Sequence, residues 1–239
     1  MGQSRKSDRS VRKRPDRKEI LIGILVLIVG GILEYIDEVS LSGFSPSGPD
    51  VFPPWISQWD TSLLLSINPG LLNPVLNIVF SLITNLGSTF VIVVVCVTLY
   101  WLGYRNEAIL VFASLLIGTV VLAPLKLIFN RPRPYTSQPK VIPLVNENGP
   151  SFPSGHSERV FALAAVFPTR RSLKVSLPYI LAVAVAFSRV YVGVHYPFDV
   201  IIGSIIGIVV GKVTLRLQGG ILKLTSRLAE LLGLQRQSI

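Results

Sequence analysis

Apolar runs separated by short polar segments follow one another along most of the 239-residue chain. Several of these runs approach the ~20 residues that an α-helix needs to cross the hydrocarbon core of a bilayer. The pattern predicts an all-α fold, a six-span transmembrane helical bundle with interfacial helices. The predicted spans are residues 20–33, 89–102, 108–129, 154–168, 175–187 and 197–217. The second could begin near Leu82, and the fifth could extend to Val192.

The polar segments between these runs differ in composition. Residues 38–60 are rich in Pro, Gly and Ser, carry acidic residues and have no Lys or Arg, which is typical of a loop outside the cell. Residues 61–87 are half-polar and broken at Asn68-Pro69-Gly70 and Asn73-Pro74, which predicts one or two interfacial helices. The Pro-rich residues 130–152 are predicted to form a second outside loop.

The chain has few charged residues, and most of them are positive. Only 15% of the residues are charged, against ~25% in soluble domains, yet the formal net charge is +10. Eight Lys and Arg residues lie within residues 1–18, and residues 169–174 form a second basic segment. Basic segments beside apolar runs are typical of the cytoplasmic side, where they contact anionic lipid head groups. Because no nucleic-acid motif accompanies them, no nucleic-acid partner is expected.

Six spans place both termini in the cytoplasm, in agreement with the basic ends of the chain. The expected organisation is a disordered basic tail over 1–18, a six-span membrane domain over 19–217 and an amphipathic cytoplasmic tail over 218–239. A cleaved signal peptide competes for the first apolar run, but no small-x-small cleavage site follows, which favours a retained helix. The chain is therefore expected to be a multi-pass protein of the cell membrane. Cys96 is the only cysteine, so no internal disulfide can form.

His156 and His195 are the only histidines, and the topology places both at the outer ends of spans. Their common level indicates one site on the extracytoplasmic side. Ser154 is a good N-cap for the helix that follows, and Gly155 allows a ligand to approach the backbone closely. A helix N-terminus binds anions, and a histidine there can move a proton near neutral pH.

Asp199 follows His195 by four residues, and Pro197 between them favours the start of a helix. A carboxylate at this spacing can reach back across the first turn. If it accepts the Nδ1–H of His195, it fixes the tautomer and exposes Nε2 as a nucleophile. The alternative is that Asp199 only caps the helix.

Four cations share the outer level with the histidines. Lys126 lies within an apolar run and therefore needs an anion. Arg131 and Arg133 lie in a stiff Arg-Pro-Arg-Pro segment and could instead be interfacial anchors that reach for head groups. Arg189 precedes His195 by six residues.

Three motifs together resemble a known family. Lys126 through Arg133-Pro134, then residues 153–156, then Ser188-Arg189 with His195 and Asp199 resemble the three-part signature of the type-2 phosphatidic acid phosphatase superfamily. That superfamily includes integral-membrane lipid phosphatases and, more distantly, soluble vanadium-dependent haloperoxidases. The motifs span residues 126–199, and the six-span order agrees across residues 20–217.

The resemblance implies a role for each matching position. His195 would attack phosphorus and form a phosphohistidine, Asp199 would orient it, and His156 would protonate the leaving oxygen and then activate water. The implied phosphate-binding residues are Lys126, Arg133, Ser154, Gly155 and Arg189. Fixed cations can neutralise a phosphoryl group without a metal, so no metal or other cofactor is expected. Glu158 and Arg159 depart from the pattern, and are predicted to pair locally or to face a polar cavity.

The expected function is hydrolysis of a lipid phosphate or diphosphate in the membrane. Candidate substrates are polyprenyl diphosphate, phosphatidylglycerol phosphate and phosphatidic acid, with the first favoured because recycling of a lipid carrier needs an outward-facing site. One alternative is a phosphotransferase that passes the phosphoryl group to an alcohol. A non-catalytic membrane scaffold is the other alternative, disfavoured because every expected catalytic position is filled. The expected partners are the lipid substrate and the bilayer, and the oligomeric state is not determined by the sequence.

Overall fold

The computed structural model describes residues 51–167 and 176–231, together with residues 20, 23–24, 26–32 and 35. The predicted basic tail, most of the loop over 38–60 and the basic segment 169–174 lie outside these residues. Within the described part of the chain all regular structure is helical, which confirms the all-α prediction. Residues 20, 23–24 and 26–32 are helical, in line with the first predicted span.

Nine further helices follow in the described residues. They are α1 (Pro54–Leu71), α2 (Pro74–Asn85), α3 (Thr89–Trp101), α4 (Arg105–Phe129), α5 (Pro134–Ser137), α6 (Gly155–Val166), α7 (Ser176–Tyr191), α8 (Pro197–Arg216) and α9 (Gln218–Leu231).

The first of these helices differs from the sequence-based expectation at both ends. The predicted loop over 38–60 is wrong for its last residues, because α1 begins at Pro54, where proline suits a first helical turn. The predicted break at Asn68-Pro69-Gly70 is also wrong, since α1 continues through Pro69 to Leu71. Asn68 is fully buried there and donates to the carbonyls of Tyr191 and Ile142 at 2.7 and 3.0 Å. These tertiary bonds hold the end of α1.

The second predicted break is confirmed. The side chain of Asn73 accepts hydrogen bonds from the backbone N–H groups of Val75 and Leu76 at 2.9 and 3.5 Å. Asn73 therefore caps α2, and Pro74 occupies its first position. The one or two helices expected over 61–87 are thus two, α1 and α2.

Two helices of the described residues have the length and composition of membrane spans. Within the described residues, Arg105–Ser137 and Pro197–Arg216 are long and apolar enough to cross a bilayer, and α2 and α3 would make a third span if this pair, bent by 60°, counts as one. Large aliphatic side chains on the outside are exposed, with Val120 and Ile128 of α4 each 74% accessible. A surface of this kind is suited to lipid.

Close packing of α6 against α8 sets the framework of the site. A methyl group added at Gly203 would collide with the carbonyl oxygen of Ser154, and one added at Gly207 would collide with that of Glu158. Glycines four residues apart allow the two backbones to touch, as small residues do between membrane helices. The Ser154 N–H also donates to the carbonyl of Asp199 at 3.1 Å. The N-termini of α6 and α8 therefore lie side by side.

Candidate active site

Both histidines and two arginines converge on one carboxylate, that of Glu147 in the segment between α5 and α6. Its Oε1 pairs with Nη2 of Arg189 and lies 3.6 Å from Nδ1 of His156. Its Oε2 lies 2.6 Å from Nη1 of Arg133 and 3.7 Å from Nε2 of His195. Four residues predicted from the sequence thus surround Glu147, which the sequence analysis did not single out.

A turn positions His195, and the start of a helix positions His156. His195 follows α7 after a turn at Gly193, whose φ of 79° is readily adopted only by glycine. The N–H of His195 donates to the carbonyl of Arg189 at 3.3 Å, which ties this histidine to the end of α7. His156 stands in the first turn of α6, against Gly87 at the bend between α2 and α3. A methyl group at Gly87 would lie 2.9 Å from Cδ2 of His156, so this glycine makes room for the ring.

Hydrogen bonding assigns the tautomer of His195. Nη1 of Arg133 lies 3.2 Å from Nε2, and a guanidinium can only donate, so Nε2 is the acceptor. The ring proton is then on Nδ1, which lies 3.5 Å from Oδ2 of Asp199. Burial lowers the pKa of His195 below 6.5 and outweighs the opposite effects of Asp199 and Glu147. The ring is therefore neutral near pH 7, with a lone pair on Nε2.

Asp199 caps α8 and also lies beside His195, with its Oδ2 3.5 Å from Nδ1 of that ring. Its Oδ2 accepts from the N–H of Tyr196 at 3.0 Å, at the helix N-terminus. Its Oδ1 accepts from Nη1 of Arg131 at 2.7 Å. The carboxylate is thereby held in place from two directions.

Arg131 forms the centre of a fully buried ionic triad. The same Nη1 atom that contacts Asp199 lies 2.7 Å from Oδ2 of Asp60 in α1, and all three side chains have zero exposure. The guanidinium stacks over the ring of Tyr196, 3.9 Å from its centroid. Asp60 also accepts from the N–H of Phe198 at 2.7 Å. The interpretation of Arg131 as an interfacial anchor is therefore wrong.

Arg133 is also buried, so the anchor interpretation fails for this residue as well. Its Nε donates to the carbonyl of Gly149 at 3.0 Å, and its Nη2 donates to that of Asn148 at 2.9 Å. Lys126 Nζ donates to the carbonyl of Pro150 at 3.0 Å. These cations hold the segment that carries Glu147.

The carboxyl group of Glu147 is held in its charged form. Burial alone would raise its pKa, but the nearby Arg189 and Arg133 outweigh burial and hold that pKa well below its usual range.

The remaining predicted positions lie at the N-terminus of α6. Ser154 is fully buried and caps the helix, as expected, with its Oγ accepting from the N–H and Oγ of Ser157 at 3.5 and 3.1 Å. Gly155 is buried in the first turn. Arg159 contacts the site: its Nη2 lies 3.3 Å from Nδ1 of His156, and its Nε donates to the carbonyl of Gly87 at 2.9 Å. The predicted local interaction of Arg159 is thus with His156.

Glu158 points the other way, into the bundle. It is 1% exposed, and a methyl group at Gly118 of α4 would collide with its Oε1. Glycine at position 118 therefore provides the space that this carboxyl group fills.

A known protein family is similar to the part of the chain that carries most of these residues. Residues 107–222 match the model of the PAP2 superfamily, and this range includes all three motifs. Over these residues, just under half of its length, the chain is similar to the PAP2 superfamily. The predicted resemblance is thereby confirmed, and the match also covers Glu147 and Arg131. Asp60 lies outside the matched residues.

Relatives and solved structures extend the PAP2 comparison. The decaprenylphosphoryl-5-phosphoribose phosphatase of Mycobacterium tuberculosis is 32% identical over 119 residues, which are 48% of this chain and 64% of that protein. The crystal structure of Aquifex aeolicus LpxE superimposes with a TM-score of 0.63 and 28% identity, covering 71% of this chain and 99% of the other. The transmembrane PAP2-type phosphatidylglycerolphosphate phosphatase of Bacillus subtilis shares the fold, with a TM-score of 0.60 at 23% identity over 85% and 96% of the two chains.

Sequence reasoning missed three residues of this site: Glu147, Asp60 and Thr84. Arg189 donates to the Thr84 hydroxyl in α2. Glu147 is the one acidic residue in the Pro-rich segment 130–152, between the first two motifs, and that isolation was a usable signal. Asp60 and Thr84 carry no such signal, because their partners are distant in sequence.

Proposed function

We propose that this protein is a membrane lipid phosphatase that hydrolyses a lipid phosphate or diphosphate through a phosphohistidine intermediate. The observation that carries the proposal is the convergence of Arg133, Arg189, His156 and His195 on a single anionic group. A phosphoryl group needs the same surroundings, because catalysis of its transfer depends on positioning and neutralisation of charge. The lone pair on Nε2 of His195 supports its role as the nucleophile.

In the first step, Nε2 of His195 attacks phosphorus while the bond from phosphorus to the leaving oxygen breaks. His156, in its protonated form, donates a proton to that oxygen, which leaves as an alcohol or as a lipid phosphate. The charge on the transferred oxygens is neutralised by Arg133 and Arg189, with Lys126, Ser154 and Gly155 as further phosphate-binding groups. Asp199 stabilises the positive charge that develops on the ring by its position beside Nδ1.

In the second step, water replaces His195 on phosphorus. His156, now neutral, takes a proton from the water as its oxygen attacks, and the bond between phosphorus and Nε2 breaks. Inorganic phosphate leaves, and His156 is protonated again for the next cycle. The balance of atoms and protons needs no metal or other cofactor, so we expect activity in the presence of a chelator.

The substrate is inferred from the depth of the site. Helix α6 has 12 residues and a rise of ~18 Å, less than the ~30 Å of the hydrocarbon core, so its N-terminal site would lie below the membrane surface. A recessed site suits a lipid whose tail stays in the bilayer. We favour six spans with both termini cytoplasmic, the site on the extracytoplasmic side and a polyprenyl diphosphate as substrate. The Mycobacterium tuberculosis relative, whose name specifies a decaprenyl lipid bearing a 5-phosphate, supports a polyprenyl substrate.

The test is phosphate release by the purified chain from polyprenyl diphosphate, phosphatidylglycerol phosphate and phosphatidic acid, with EDTA present. Replacement of His195 by Asn should reduce the rate by on the order of a thousandfold or more, because the nucleophile cannot be bypassed. Asn146→Ala, an exposed change in the same region, is the control and should retain the wild-type rate. A His195→Asn protein with a near-normal rate would refute the mechanism, and a phosphorylated alcohol in place of free phosphate would indicate a transferase.

A further inference from the structure

We propose that Glu147 is an internal substitute for the substrate phosphate, and that it sets the affinity of the site by competing with every phosphate ligand. The inference rests on the proposed function, since it takes the ligand to be a phosphoryl group. It adds a residue to which neither the motifs nor the relatives assign a role. The substrate would have to displace this carboxylate before His195 could reach phosphorus.

The geometry is that of a bound anion. Each oxygen of the carboxylate is paired with a different arginine, and each lies within 4 Å of a different histidine ring. Two arginines fix the two oxygens of a carboxylate in the same way as they fix two oxygens of a phosphoryl group. Glu147 therefore occupies the place that the proposed mechanism requires for the transferred group, and the two cannot be there together.

The position of Glu147 allows it to leave. Its side chain is 21% exposed, against 16% for His156, 6% for Arg133, 2% for His195 and 1% for Arg189. Asn146 and Asn148 on either side are exposed. The cations and histidines are held by further bonds, including those from Arg133 to the carbonyls of Gly149 and Val194. Rotation of one side chain on a surface segment would open the site and leave its walls unchanged.

Because Glu147 is part of the protein, its competition would weaken the binding of every phosphate ligand by the same factor. If only a fraction of the molecules has the site open, the apparent dissociation constant of any ligand rises by the reciprocal of that fraction. The factor is a property of the protein, so it is the same for the substrate, for inorganic phosphate and for vanadate. An open fraction of about one tenth would weaken all three by about tenfold.

The experiment compares wild type, Glu147→Gln and the control Asn146→Ala, all as purified full chains in detergent micelles. Glu147→Gln removes the charge and keeps the size, so KM for phosphatidic acid should fall by on the order of tenfold. The inhibition constants of inorganic phosphate and vanadate should fall by the same factor, with kcat within about twofold, since the chemical step is untouched. Asn146→Ala should match wild type throughout.

A second measurement does not need turnover. In a His195→Ala background, addition of Glu147→Gln leaves two buried arginines facing each other, which should lower the apparent melting temperature. Inorganic phosphate should restore it, and calorimetry should show phosphate bound on the order of tenfold more tightly than in His195→Ala alone. Unchanged phosphate affinity overturns the inference even if the protein is a phosphatase. Tighter phosphate binding in the double variant, together with no turnover by the wild type on any of the three lipid substrates, keeps the inference and refutes the proposed function.

A collapse of kcat in Glu147→Gln with unchanged KM would also overturn the inference, because it would make Glu147 a participant in the chemistry. Glu147→Asp gives a further check that retains the charge. The shorter side chain should bridge the two arginines less well, so its KM should lie between those of wild type and Glu147→Gln. A KM for Glu147→Asp above that of wild type would contradict internal competition.

Discussion

Arg131 offers the sharpest test of how the site is supported. Its guanidinium lies between the carboxylates of Asp60 and Asp199, 2.7 Å from each, and no part of the three side chains is exposed. Replacement by Met would keep most of the volume but leave two buried carboxylates facing each other. We predict that Arg131→Met strongly destabilises the protein and that a second change, Asp60→Asn, partly restores its stability.

The expected changes in stability follow from the charges of Arg131, Asp60 and Asp199. Two like charges roughly 5 Å apart repel by about 3 kcal/mol at an effective dielectric constant of about 20. Removing one partner from a buried ion pair costs ~3–5 kcal/mol. Asp60→Asn alone keeps the pair between Arg131 and Asp199 and an oxygen for the N–H of Phe198, so it should cost less, ~1.5–3 kcal/mol. In the double variant the repulsion is absent, and about 3 kcal/mol should be recovered relative to Arg131→Met.

The assay is thermal unfolding in detergent, followed by tryptophan fluorescence. The scan rate is kept fixed, because the apparent melting temperature depends on it when unfolding is irreversible. A gain of about 3 kcal/mol corresponds to a rise of ~6–12 °C in apparent melting temperature at this chain length. Lys140→Met, which removes an exposed cation, is the matched control and should change it little. If the double variant melts no higher than Arg131→Met, the triad does not couple these residues as the distances indicate.

Three further predictions concern the chemistry and the topology. Burial lowers the pKa of His195 below 6.5, and the neutral ring is the proposed nucleophile. We therefore expect kcat/KM to persist as the pH falls through 6.5 and to be lost only below that lowered pKa. An acid limb with its midpoint above 6.5 would contradict this assignment. Asp199→Asn should lower kcat by up to ~10⁴-fold with little change in KM, while the wild type should keep full activity in excess EDTA. Loss in EDTA with recovery on adding a divalent cation would instead indicate a metal mechanism. In a Cys96→Ser background, a cysteine at Ser137 should react with an impermeant thiol reagent on intact cells, and one at Ser172 should not. Labelling of Ser172 alone would place the site in the cytoplasm.

The helix starts beside the histidines could be predicted from the sequence, because N-cap residues and first-turn prolines are local signals. Ser154 was expected to cap α6, and Pro197 was expected to begin α8, and both do so. Those two helix starts fix where His156, His195 and Asp199 emerge. The close contact of Ser154 with Gly203 then brings the two helix starts together.

The continuation of α1 through Pro69, which the sequence did not predict, depends on tertiary contacts. A break was expected at Asn68-Pro69-Gly70, but bonds from Asn68 to Tyr191 and Ile142 extend α1 beyond the proline. No local pattern marks those partners, because they lie on α7 and on the segment before α6. Tertiary bonding of this kind overrides the local preference for a turn.

The same reasoning explains why Arg131 and Arg133 could not be distinguished before their partners were known. Both are arginines before a proline, two residues apart, and in an extended segment side chains at that spacing leave the backbone on the same side. Their roles differ because Arg131 meets Asp60 from α1 and Asp199 from α8, while Arg133 meets the Glu147 segment and His195. Arg131 pairs with two protein carboxylates, and one of these, Asp199, lies beside the proposed nucleophile His195. Arg133 pairs with Glu147, whose side chain is 21% exposed, and in the proposed mechanism Arg133 rather than Arg131 receives the phosphate.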